Sequence, residues 1–151
     1  MRHGFPAALF VVGLLTGATT PLAAQREREI LPQPPAAGAT LSPIVKVGDM
    51  LYLSGQLGTV RGRGLVEGGV GPETRQALEN IKALLEQVGS SMDRVVKCTV
   101  FLVDIGDFRP MNEEYRTFFP SGPPARSTVA VAGLVLNARV EIECLALAGR
   151  S

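Results

Sequence analysis

Histidine is almost missing from this chain. The only one, His3, falls in an N-terminal segment that reads as removable, so the remainder has none. Without imidazole, Ser-His-Asp and Cys-His nucleophilic arrangements are excluded, as are nearly all zinc sites. Cysteine is scarce: Cys98 and Cys144 alone, without the CxxC spacing of a redox site. Both lie in apolar runs and read as buried thiols acting as small hydrophobes. An oxidising compartment would let them pair, but sequence separation does not fix a Cα distance. An excess of charge is missing too. Setting Arg2 aside with the leader, 14 basic residues face 14 acidic ones. This gives no electrostatic reason to expect nucleic acid or an anionic membrane as partner.

The leader is residues 1–24. Met1-Arg2-His3 is a short positive start, residues 7–15 are apolar but too few to span a bilayer, and residues 16–24 are small and end in Leu22-Ala23-Ala24. This predicts cleavage after Ala24 and a periplasmic or secreted protein. Residues 25–38 are polar and Pro-rich (Pro32-Gln33-Pro34-Pro35) and read as a flexible spacer. One folded domain then spans residues 39–149.

Within it, residues 44–47 and 50–54 read as a hairpin turning at Gly48-Asp49. Residues 56–67 are glycine-rich and read as a loop or weak edge strand. Gly68-Gly69-Val70-Gly71-Pro72 opens a helix, with Pro72 and Glu73 suited to its first turn. Ala77, Leu78, Ile81, Leu84, Leu85 and Val88 form one apolar stripe, and Gly89 ends it. Residues 94–103 are too uniformly apolar for a one-sided surface strand. Asp107 is expected to cap a second helix over 108–119, with Met111, Tyr115, Phe118 and Phe119 inward. Strands over 125–132 and 139–148 complete a β-β-α-β-α-β-β order. That is an α+β layer with two helices on one face of a mixed sheet.

The chemistry concentrates in the last two strands. Arg126 opens Ala125-Arg126-Ser127-Thr128-Val129, a small and β-branched run that reads as largely buried. A buried guanidinium needs an anion. Either Glu141 or Glu143 supplies it, or a ligand carboxylate does, held by the arginine fork. Glu141 and Glu143 share one face of their strand, either as a solvated face or as a base that positions water. Ser54-Gly55-Gln56 permits close backbone approach to a ligand, or serves only the fold. Asn112 and Tyr115 share a helix face, with Tyr115 read as core. The loop 59–64 mixes arginine and glycine without the spacing of a phosphate cradle.

These pieces together resemble the Rid family (YjgF-like reactive intermediate deaminases, often labelled endoribonuclease L-PSP). The resemblance runs over residues 38–147. It rests on Val47-Gly48-Asp49-Met50-Leu51-Tyr52-Leu53-Ser54-Gly55-Gln56, on Thr74 to Lys82, on Val96 to Leu102, and on Met111-Asn112-Glu113-Glu114-Tyr115. Its most specific part is Pro124-Ala125-Arg126-Ser127-Thr128-Val129 followed by Val140-Glu141-Ile142-Glu143. The resemblance implies a chorismate-mutase-like protomer, a homotrimer with clefts between subunits, and hydrolysis of 2-enamine/2-imine acids without metal or organic cofactor. By resemblance, Arg126 binds the substrate carboxylate, Glu141 helps direct the attacking water, Thr128 lines the pocket, and Ser54 and Asn112 match pocket positions; Gly55, next to Ser54, is expected to join them by letting a ligand approach the backbone. Three features depart from the usual pattern: Leu41 where a tyrosine is common, Thr128 where cysteine is common, and a short loop over 119–124. A non-catalytic trimer that binds small carboxylates is the rival expectation. A ribonuclease, suggested by the family's label, is a third, opposed by the balanced charge and the lack of a basic, aromatic surface.

Overall fold

The computed structural model describes residues 27–32 and 37–149. The leader and the middle of the expected spacer therefore lie outside the described residues. The main sheet is built from β1 (Arg28–Leu31), β2 (Ile44–Val47), β3 (Met50–Leu53), β4 (Gln56–Leu57), β7 (Val95–Leu102), β8 (Ala125–Ala130) and β9 (Val140–Leu147). Its order is β1-β2-β3-β9-β7-β8, with β4 also on β9. Every pair is antiparallel except β7 with β8. That parallel pair follows from its connection through a helix, α2 (Phe108–Tyr115), because parallel neighbours need a crossover.

The helix α1 (Val70–Gln87) packs against α2 and β9. Its predicted stripe is its buried side: Ala77, Leu78, Ile81 and Leu85 are wholly enclosed. They meet Leu51, Leu53, Cys98, Val100, Leu102, Val140, Ile142, Cys144 and Ala146. These are alternate residues of β3, β7 and β9, so the helices cover one face of the mixed sheet as expected. Gly48 takes φ 59 in the two-residue β2–β3 turn, a conformation suited to glycine.

The structure departs from expectation in five places. Arg28–Leu31, within the expected spacer, is a strand; it pairs with β2 and sets Glu29 against Lys46 at 3.5 Å. Its four residues are too few to carry a period, and only the edge of β2 defines them. The glycine-rich stretch holds β4 and a small hairpin, β5 (Thr59–Val60) with β6 (Gly64–Leu65), pinned by Asn80 donating to the carbonyls of Leu57 and Thr59. The second helix ends at Tyr115 and continues as a 3₁₀ turn over Arg116–Phe118. Asp107 does not cap it; the carboxylate instead holds Arg139, at 2.6 and 2.8 Å. Charge pairing across the fold thus outcompetes the local cap.

The fifth departure concerns the cysteines. Cys98 and Cys144 are directly opposed across β7 and β9 and form a disulfide, with Cα atoms 4.1 Å apart. Strand register, which the sequence does not reveal, brings the two thiols together.

Candidate functional site

Strand alternation sorts the expected site residues onto two sides of the sheet. On β8, Arg126 and Thr128 are the register partners of Cys98 and Val100, both fully buried on the helix side. On β9, Val140, Ile142 and Cys144 take that side, and Glu141 and Glu143 take the other. Arg126 and Glu141 therefore belong to opposite faces within one protomer.

The helix-side group is built on β8 and α2. Phe108, Asn112 and Tyr115 recur at i, i+4 and i+7, one stripe of α2. The Arg126 guanidinium lies over that stripe, 4.6 Å from the Tyr115 ring centre and 5.6 Å from that of Phe108. Ring faces attract a guanidinium and shed water from it. None of the ion pairs among the described residues includes Arg126. The expected internal partners, Glu141 and Glu143, are thus ruled out by the sheet between them. Two hydroxyls on this side, Thr128 Oγ1 and Tyr115 Oη, are buried without a hydrogen-bond partner among the described residues. Burial pushes the Tyr115 hydroxyl up to about 12, with the nearby Arg126 charge pulling the other way.

The expectation that Arg126 lies in a largely buried strand needs correction. β8 is an edge strand with Ala125, Ser127, Val129 and Ala130 exposed. A β-branched run signals burial but not what does the burying, and the described residues of one protomer leave this strand uncovered.

The second group occupies the opposite face. Glu141 reaches β4 and the turn before it, where Leu57 is its register partner. A Cβ on Gly55 would land on the Glu141 carboxylate. Gly55 therefore leaves the room that Glu141 fills, which joins two of the expected residues. Ser54 closes the same turn: its hydroxyl donates to the Ser42 carbonyl at 2.6 Å. Gln56 Nε2 donates to the carbonyls of Ser54 and Gly55, at 2.9 and 3.2 Å. Ser54 thus shapes the turn through a bond already made. Glu143, exposed, lines a shallow cleft of about 310 Å³ with Tyr52, Lys97 and Thr99.

The strand that carries Glu141 is held at its start. Glu73 of α1, 3 % exposed, accepts the Arg139 backbone N–H at 2.7 Å, one residue before β9 begins. Gly58 allows this: a Cβ there would sit 2.5 Å from the Glu73 Cα.

The sequence singles out Arg126, Glu141 and Gly55 as candidates but not Phe108, and reads Tyr115 as core. The i, i+4, i+7 recurrence of Phe108, Asn112 and Tyr115 was the available signal. Its meaning depends on β8 lying across from that stripe. Among the described residues no cluster of acidic, cysteine or histidine side chains could hold a metal ion.

Residues 32–148 match the family described as endoribonuclease L-PSP. The chain is 46 % identical over 116 residues to a 2-iminobutanoate/2-iminopropanoate deaminase of Bos taurus, covering 76 % of this chain and 85 % of that one. It is 44 % identical over 112 residues to the protein HMF1 of Saccharomyces cerevisiae, covering 74 % and 87 %. Among solved structures it resembles TdcF of E. coli with bound serine, at TM-score 0.69 and 36 % identity, covering 78 % and 93 %.

Proposed function

Because the chain belongs to the endoribonuclease L-PSP family, which includes the YjgF and Rid proteins, we propose that it hydrolyses 2-enamine/2-imine acids to 2-oxo acids and ammonia. The observation that carries this reading is the Arg126 guanidinium, held against two aromatic rings with no carboxylate partner among the described residues. A cation so prepared suits the carboxylate of a small acid, gripped by two parallel N–H bonds. The resemblance to deaminases named for 2-iminobutanoate and 2-iminopropanoate gives the acid its class.

The reaction asks little of the protein. With the carboxylate fixed by Arg126, the C=N carbon has one position, and the gain is one of proximity. Glu141 accepts a proton from water as the water oxygen bonds to that carbon and the C=N electron pair moves to nitrogen, which takes that proton from Glu141. The resulting carbinolamine collapses: Glu141 takes the O–H proton and delivers it to the amino nitrogen, the C=O forms, and the C–N bond breaks to release ammonia. Thr128, Asn112 and Gly55 would line the pocket.

Arg126 and Glu141 cannot serve one substrate within a protomer, since the sheet separates them. The reading therefore requires a second copy, whose outer sheet face presents Glu141 to the first copy's Arg126. Tyr52 and Val129, exposed large apolar residues, make such a face costly to leave in water. A closed homotrimer of the kind expected from the resemblance meets both needs. The Cys98–Cys144 disulfide supports export to an oxidising compartment.

The test is direct. Imines generated in situ by an amino-acid oxidase are offered to the purified protein and to Arg126→Ala. The expected outcome is turnover that disappears in the variant while the oligomer persists. Tight 2-oxo acid binding without turnover would point instead to a carboxylate-binding protein, and retained activity in the variant would remove Arg126 from the mechanism.

A further inference from the structure

One group on the helix side of β8 has no part in the chemistry just described. Tyr115 is 3 % exposed and packs its ring against Phe119, with centroids 4.9 Å apart. Its hydroxyl is buried with no partner among the described residues, so no hydrogen bond accounts for the residue and the ring is the part in use. Yet packing is not all the ring does: its centre is the nearest aromatic surface to Arg126, 4.6 Å from the guanidinium carbon. Phe108, the other ring, lies farther away at 5.6 Å and is itself exposed. Only Tyr115 offers the guanidinium a face already shielded from water, where a cation–π contact is strongest.

We propose that Tyr115 is the positioning residue for Arg126: its buried ring holds the guanidinium at the mouth of the site and so sets affinity for the substrate carboxylate. This rests on the reading of Arg126 as the carboxylate anchor. The ring does not touch substrate. It keeps the fork from spending its time in other rotamers, an entropy that carboxylate binding would otherwise have to overcome. The effect belongs to binding, so it falls on KM and leaves kcat nearly unchanged.

The experiment measures KM for 2-iminopropionate made in situ, and Kd for pyruvate by calorimetry, on the full-length protein and its variants. Tyr115→Phe keeps the ring and is expected to keep both constants. Tyr115→Met, similar in bulk but ringless, is expected to raise both about tenfold, with kcat little changed. Fluorinated phenylalanines installed at position 115 preserve shape while draining the ring's negative face. They should raise both constants stepwise with fluorine number, which keeps the test alive if the Met variant misfolds. Phe119→Leu removes a neighbouring buried ring that does not face Arg126, and should lower stability without moving either constant. Equal constants for the fluorinated series, or equal shifts for Phe119→Leu and Tyr115→Met, would overturn the inference. If the wild type binds pyruvate in the expected pattern but turns over no imine, only the deaminase reading fails. If it binds no pyruvate at all, both fail.

Discussion

Gly55 and Glu141 form the tightest pairing in the candidate site. The glutamate carboxylate occupies the volume a side chain at 55 would need. Its far end can swing away, so Gly55→Ala should fold with little loss of stability but displace the base. Imine turnover is then expected to fall at least tenfold with KM little changed, read from steady-state kinetics beside a thermal melt. An unchanged kcat would mean that Glu141 acts from another position.

Tyr115 allows a second expectation at this scale. Its hydroxyl, pushed by burial up to about 12, stays protonated in the fold while an unfolded tyrosine ionises near 10. Above pH 10 the unfolded state therefore binds fewer protons than the native state, and stability falls as pH rises towards 12. Below pH 10 both states are neutral at this group and it contributes no slope. Urea titrations at pH 9 and pH 11 should show a larger loss for the wild type than for Tyr115→Phe. Equal losses would show that the hydroxyl is not shielded in solution.

Among the elements, β7 and β9 carry the structural load. They share the longest pairing in the sheet, and the disulfide joins them at its middle, through Cys98 and Cys144. The bond closes a sequence separation of 46 residues. A link over such a loop stabilises by about 2–4 kcal/mol, mainly through the unfolded state. Denaturant titration with and without a reductant strong enough to reach a buried bond should reveal a difference of that order; superimposable curves and two titratable thiols would show that the link does not form. The apolar content of both strands was evident from their residues, and so was the stripe of α1. The pairing of the cysteines was not, because it depends on a register shifted by the irregularity between Val95 and Lys97. Similarly, β1 has no periodic signature of its own and is a strand only because β2 offers it an edge.

For the whole molecule, the division of Arg126 and Glu141 between two sheet faces decides how activity should be distributed. If each site takes its arginine from one copy and its glutamate from another, Arg126→Ala and Glu141→Ala proteins are each inactive alone. Unfolded together and reassembled as an equal mixture, they should recover about a quarter of the wild-type rate, since each half-site is intact half the time. No recovery, despite mixed oligomers seen by native mass spectrometry, would confine the site to one chain and contradict the geometry described above.

The amino-acid sequence by itself determined the class of fold, the two helices and their buried stripes, the exclusion of histidine-based chemistry, and Arg126, Glu141 and Glu143 as the charges of the last two strands. Those follow from composition and from periods of two and 3.6 residues, which are local properties. Tertiary structure alone decided that Arg126 and Glu141 lie on opposite sides of one sheet, that this arginine, read as buried, stands on an open edge over Tyr115, and that two separate thiols are bonded. Strand order and register govern each of these, and both are set by packing between segments far apart in the chain.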